Sequence, residues 1–233
     1  MNQDYIYTSE TPVGNLANLF IVADGMGGHN AGDFASRYTV EHVVKAIADS
    51  GLSGPIALFS EALRQVNADL LALAANDKRL QGMGTTFVGA TITQDCLYVA
   101  NVGDSRLYIV NEEIVQITKD HSLVQEMVRM SEMNQAQARI HPDKNIITRA
   151  VGAFRETEAD FFEVRLRRRD RILLCSDGLT NMLEDSEIRR IMCSQRDIVE
   201  SVERLVAAAN QNGGKDNISV IIIDPFSDEV ERC

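Results

Sequence analysis

The sequence lacks the marks of a secreted, membrane-spanning or disulfide-stapled chain. Its four cysteines (Cys96, Cys175, Cys193 and Cys233) show no CxxC spacing, which argues against a disulfide framework and against a zinc-thiolate cluster. Cys96 and Cys175 fall in strand-like apolar runs and read as small buried hydrophobes. Met1 is followed by polar Asn2, Gln3 and Asp4, so no secretory leader is predicted there. No apolar run approaches the ~20 residues that span a bilayer. Positive charge is also scarce: 23 Lys and Arg against 34 Asp and Glu give a formal net charge of −11. That sign disfavours nucleic acid and anionic lipid as partners. No repeat or linker divides the 233 residues. One domain over residues 1–226 is therefore expected, with a frayed polar tail over 227–233. These absences predict a cytoplasmic protein; a monomer is expected as well.

What is present is ordinary in bulk and specific in detail. Hydrophobic residues make up 45% of the chain, enough for a sizeable core. Residues 19–23 are apolar throughout and stop at Asp24-Gly25, which reads as a buried strand. A glycine-rich turn then leads into a helix expected over about 32–49. A second helix follows Gly54-Pro55, with Ile56, Phe59, Leu63, Val66, Leu70 and Leu73 spaced by threes and fours as one buried stripe. Strands are expected next at about 85–93, 96–102, 106–110 and 113–117, joined by turns short enough for antiparallel hairpins. Residues 123–147 are polar and methionine-rich, either two short helices or a mobile lid. Further strands are expected at 161–166, 171–175 and 218–223, and helices at 185–192 and 197–210. Paired helices and runs of hairpin strands predict layered α+β architecture rather than a parallel doubly wound sheet.

Four of these segments set an aspartate at the edge of an apolar run: Asp24, Asp104, Asp177 and Asp216. Strand ends hold their side chains at fixed places, and carboxylates gathered at one place repel unless cations separate them. After Asp24 and Asp177 the chain passes into a turn and a helix, not a returning strand, which counts against simple hairpin turns. Glycine at 25 also lets a backbone carbonyl approach a ligand. Oxygen ligands of this kind suit Mg²⁺ or Mn²⁺.

The segments Asn2-Gln3-Asp4, Ala23-Asp24-Gly25-Met26-Gly27-Gly28-His29, Gly84-Thr85-Thr86, Val102-Gly103-Asp104-Ser105-Arg106, Asp120-His121-Ser122, Thr148-Arg149-Ala150-Val151-Gly152, Ser176-Asp177-Gly178 and Gly214-Lys215-Asp216-Asn217 stand in the order found in PP2C-type, metal-dependent serine/threonine phosphatases. The chain resembles the bacterial, single-domain branch over nearly its whole length. That resemblance implies an α-β-β-α sandwich of two antiparallel sheets with helices outside. It implies two Mn²⁺ or Mg²⁺ ions and a third, outer position. Asp24 would bridge the two ions and Gly25 would lend its carbonyl. Asp177 and Asp216 would hold one ion and Asp4 the other. Asp104 and Asp177 would form the outer position, and Asn217 would orient the site. The reaction implied is hydrolysis of phosphoserine and phosphothreonine in proteins by a metal-activated water, opposing a bacterial serine/threonine kinase that is itself a partner.

His29 and His141 are the candidate proton donors to the leaving alkoxide, each with an equally acceptable structural role. His121 reads as a hydrogen-bonding residue, and Arg106 and Arg149 as partners of carboxylates. The arginine run 165–169 reads as a solvated strand end and turn more than a dock. One departure stands out: family members carry a strand and a phosphate-binding arginine ahead of the Asn-Gln-Asp motif, where this sequence has only Met1. That keeps a second reading open, a catalytically weak regulator that binds phosphoproteins, and predicts an exposed sheet edge.

Overall fold

The computed structural model describes residues 2–28, 31–195 and 197–227. Two strands open the chain, β1 (Asp4–Ser9) and β2 (Leu19–Met26), followed by the helices α1 (Ala31–Ala48) and α2 (Pro55–Asn76). A run of strands comes next: β3 (Gly84–Thr85), β4 (Phe87–Thr93), β5 (Cys96–Val102), β6 (Arg106–Val110) and β7 (Ile114–Gln116). Two short helices, α3 (Leu123–Arg129) and α4 (Gln135–Ile140), resolve the alternatives for the methionine-rich stretch. The chain finishes with β8 (Asp160–Arg165), β9 (Arg171–Cys175), α5 (Asp177–Thr180), α6 (Asp185–Ser194), α7 (Ile198–Gln211) and β10 (Val220–Ile223).

The strands form two antiparallel sheets, one ordered β1-β2-β4-β5-β8 with β3 beside β2, the other β10-β9-β6-β7. Period-two alternation assigns each strand two faces. In β2, Phe20 and Val22 face the second sheet, while Leu19, Ile21 and Ala23 face α1 and α2. In β6, Leu107 and Ile109 point between the sheets, and Tyr108 and Val110 point at α6 and α7. Leu174 and Leu173 of β9 divide the same way. Three apolar clusters result, one between the sheets and one under each helix pair, which is the α-β-β-α layering expected.

Three details depart from the sequence reading. β1 was not anticipated; its alternate residues are exposed, including Ile6 at 46%. The stretch 85–93 is broken at Thr86, which donates its backbone N–H to Asp24 O and its place in the ladder to the site. On α2, Ile56 is 40% exposed and leaves the buried stripe, while Leu58 and Ala62 join it. β1 and β8 are the edges of one sheet and β10 and β7 those of the other, so the edge expected to lie open at the N-terminal side is β1.

Candidate metal centre

The aspartates meet where strands of both sheets end. Antiparallel pairing of β1 with β2 sets Asp4 directly opposite Asp24. β9 ends at Cys175, and Ser176 then turns the chain into α5 so that Asp177 is its first residue. Ser176 is the knot of this corner. Its hydroxyl donates to Asp4 Oδ2 at 2.8 Å and accepts the Ser219 N–H at 3.0 Å. Asn217 closes the other side, accepting the Gln3 N–H on Oδ1 at 2.8 Å. Residues 3, 4, 176, 217 and 219 are thereby tied into one cluster.

The Asp24 carboxyl stands opposite Asp4 across the β1–β2 ladder and feels the charge of Asp177. Burial, followed by the negative charges of Asp4, Asp177, Asp104 and Asp216, pushes its pKa up to about 10. Burial and the neighbouring Asp177 push Asp104 up to about 7. Asp4 and Asp177 are raised as well, mainly by burial, with Asp216 adding to both. Such mutual elevation is what cations remove when they sit between carboxylates.

The donor set fits a hard divalent cation. Asp177 Oδ2 accepts from Asn181 Nδ2 at 2.8 Å, while Asp177 Oδ1 is buried with no partner among the described residues. A buried carboxylate oxygen without a donor is costly unless a cation takes it. Among the described residues, no three Asp, Glu, His or Cys side chains close into a full cage. The open arrangement suits an ion that keeps part of its water, as Mg²⁺ does.

Two glycines are dictated by packing. A Cβ on Gly178 would lie 1.8 Å from Asn217 O, and one on Gly25 would lie 2.0 Å from Gly32 O and 2.7 Å from Gln3 O. For Gly25 this is a tighter requirement than the ligand approach inferred from sequence: it lets the N-terminus of α1 press on the end of β2.

Asp104 and Asp177 also line an open cleft of about 700 Å³ whose far wall is α4, with Gln135 and Arg139. Arg139 docks that arm onto the core, donating from Nη2 to Leu183 O at 2.9 Å and pairing with Glu184 at 2.6 Å. Lys144 Nζ reaches Asn181 Oδ1 at 2.8 Å.

Of the candidate proton donors, His29 lies outside the described residues. His141 caps α4; its Nδ1 accepts the Asp143 N–H at 3.2 Å, which leaves Nε2 to carry the proton. It is not among the residues lining the cleft. His121 is buried, accepting the Gly103 N–H on Nδ1 at 3.1 Å and facing Asp160 through Nε2 at 3.3 Å. Burial holds its pKa below the usual value, so it braces the Gly103-Asp104 turn as a neutral ring. Arg106 grips Asp120 through Nε and Nη2 and reaches Tyr108 Oη at 2.8 Å; Arg149 pairs with Asp160 at 3.0 Å. Sequence reasoning missed Ser176 and Asn181. Ser176 lies inside the quoted Ser-Asp-Gly segment, which was its available signal; for Asn181 the signal was its place four residues after Asp177, one helical turn on.

The family model described as Protein phosphatase 2C matches residues 1–221. Over 215 residues the chain is 40% identical to the serine/threonine phosphatase stp of Listeria innocua, covering 88% of this chain and 84% of that protein. The fold superposes on serine/threonine phosphatase Stp1 from Staphylococcus aureus with a TM-score of 0.89 and 33% identity, covering 95% of this chain and 88% of the other. It also superposes on the catalytic domain of PstP in complex with two manganese ions, with a TM-score of 0.83 and 32% identity over 95% of this chain and 90% of that one.

Proposed function

The chain belongs to the protein phosphatase 2C family, and from that membership we propose how its own residues divide the hydrolysis of phosphoserine and phosphothreonine in proteins. The protein is a metal-dependent serine/threonine phosphatase. The single observation that carries the residue assignment is the corner where Asp4 faces Asp24 across β1 and β2, Ser176 ties Asp4 to the start of α5, and Asp177 Oδ1 is left buried without a partner among the described residues.

Asp24 would hold the centre of a site for Mn²⁺ or Mg²⁺, with the Gly25 carbonyl as a further oxygen donor. Asp177, Asp216 and Asp4 would supply the remaining carboxylates. Asp104 and Asp177 offer the outer, third position on the cleft side. Asn217 orients the cluster by anchoring Gln3. When bound, the cations supply charge neutralisation and a water acidic enough to attack phosphorus near neutral pH. The protein's part is positional: Ser176 fixes the Asp4 carboxylate, Asn181 fixes that of Asp177, and the strand ends keep like charges together without relaxation. The leaving alkoxide needs a proton, for which His141 Nε2 and His29 are the candidates.

The proposal extends to a single domain over residues 1–226, a cytoplasmic monomer, and phosphorylated substrates that include a serine/threonine kinase. Among the described residues no helix is long and apolar enough to cross a membrane. The weak-regulator reading is not favoured, since the relatives carry phosphatase names and every metal-site aspartate of the family motif is present. Release of phosphate from a phosphothreonine peptide should require added Mn²⁺ and disappear in Asp24→Asn and Asp216→Asn. Undiminished turnover in both variants would overturn the assignment.

A further inference from the structure

The arginine run 165–169 is the one motif the catalytic assignment leaves unused. In the fold it becomes the β8–β9 turn. Asp170, buried at 4% exposure, pins that turn: Oδ2 accepts the Arg167 N–H at 2.8 Å and Oδ1 accepts from Asn111 Nδ2 at 2.7 Å. Arg169 is held at φ +73°, a left-handed conformation that glycine or asparagine adopts far more readily. Keeping a β-carbon-bearing residue there costs stability and sets the point from which its side chain leaves the turn. Arg167, Arg168 and Arg169 are all exposed, and among the described residues no ion pair holds Arg167 or Arg169.

The turn overhangs a groove of about 730 Å³. Arg169, Arg171 and Arg189 line it, with Met192 and Phe226 among the apolar side chains. Two carboxylates also line it, Glu112 and Asp224. Asp224 is paired to Arg171 at 3.3 Å, and Arg189 Nε is fixed on the Glu112 carbonyl at 2.7 Å. Three guanidinium groups against two carboxylates, with the exposed Arg167 two residues before Arg169 in the same turn, make the groove cationic on a chain of net charge −11. Asp104 and Asp177 lie at the opposite end of the same sheet, just before β6 and just after β9. β6 runs from Arg106 at the site end to Val110 at the groove, and β9 runs back from Arg171 to Cys175. Five-residue strands put the two places roughly 17 Å apart. The β6–β7 hairpin joins them along the sheet edge: Val110, Asn111 and Glu112 line the groove, and Gln116 and Thr118 line the cleft beside Asp104 and Asp177.

We propose that this groove is a docking site for an acidic, Asp/Glu-rich segment of the protein substrate, bound while the phosphorylated residue occupies the metal centre. Guanidinium forks match carboxylates in geometry, and the apolar floor receives intervening side chains. A small cationic patch on an anionic body selects a short acidic segment over an extended polyanion, which the rest of the surface repels. The inference rests on the phosphatase reading only for the identity of the partner.

The test has two arms. A fluorescent eight-residue peptide of alternating Glu and Gly is titrated against the Mn²⁺-loaded protein by anisotropy. The Arg167→Glu/Arg169→Glu variant should weaken binding about tenfold or more, and rising salt should erase the difference. In the second arm, a phosphothreonine peptide carrying that acidic tract some six residues away should show a lower KM than one without it. Arg169→Gly, which suits the turn, should keep or raise Tm, leave hydrolysis of a small aryl phosphate unchanged and abolish the KM advantage. Equal anisotropy for wild type and double variant, or tighter binding of an RNA oligomer than of the acidic peptide, would overturn the docking site. Loss of all turnover would count against the phosphatase reading, and the anisotropy arm would still decide the groove.

Discussion

The side-chain amide of Asn181 donates to Asp177 Oδ2 at 2.8 Å, one helical turn after the aspartate it holds. Its other end accepts Lys144 Nζ at 2.8 Å. One residue therefore aims a carboxylate of the site and receives a side chain from the arm that walls the cleft. Removing the amide leaves the Asp177 carboxylate free to rotate. Asn181→Ala should weaken Mn²⁺ binding about tenfold or more, the usual effect of losing a partner that orients a ligand. Calorimetric titration with Mn²⁺ checks this, with circular dichroism expected to match wild type.

The carboxylates repel one another when no cation is present. Asp24→Asn should then raise the Tm of chelator-treated protein by about 3 °C while abolishing Mn²⁺-dependent turnover. A variant that lost both stability and activity would point to a structural role for Asp24 instead.

The same repulsion sets a pH dependence. Burial first, then neighbouring charge, moves Asp24 from 3.8 to about 10 and Asp104 from 3.8 to about 7. The folded state therefore holds more protons than the unfolded one between those values, and stability must fall as pH rises through that window. Metal-free protein should melt higher at pH 5.5 than at pH 8, and saturating Mn²⁺ should remove the difference. Calorimetric melting scans at the two pH values provide the measurement.

Gly178→Ala should be severe despite its single carbon. The new Cβ would sit 1.8 Å from Asn217 O, so the 216–217 turn must move. Mn²⁺ affinity and turnover should both drop more than tenfold, and destabilisation of about 2 kcal/mol is expected. Arg106→Ala tests the neighbouring network separately. It strands Asp120, whose side chain is only 10% exposed, and should cost about 3 kcal/mol without changing the metal dependence of the remaining activity.

A general acid matters most when the leaving group is poor. His141→Ala should slow release from a phosphothreonine peptide by about 10²-fold and leave an aryl phosphate with a good leaving group nearly unaffected. Equal effects on both esters would remove His141 from proton transfer.

Much of this molecule was legible in the sequence. β2, β5, β6 and β9 announced themselves as apolar runs because each is buried on both faces, and the stripe of α2 because its helical spacing is regular. β1 escaped because one of its faces is exposed and carries Ile6. Asn67 escaped for the converse reason. It reads as a polar residue of α2, yet it is buried and accepts the Gly152 N–H at 2.7 Å while donating to Phe154 O at 3.0 Å. The aspartates were visible because each closes a strand-like run or opens a turn. Ser176 acts only through partners brought to it by folding, which no local period records; Asn181 stands one helical turn after Asp177, a local spacing, but its second partner Lys144 also comes by folding.

Ser176 has a consequence for the order of events during synthesis. Its hydroxyl joins Asp4, at the start of the chain, to the backbone of Ser219 near its end. Translation adds Asp216 and Ser219 after the residues of both helix pairs and of nearly every strand. A nascent chain can fold most of its two layers and still hold an incomplete cluster of carboxylates. The carboxylate cluster proposed for catalysis is therefore complete only once residues 216–219 have joined the strands that precede them.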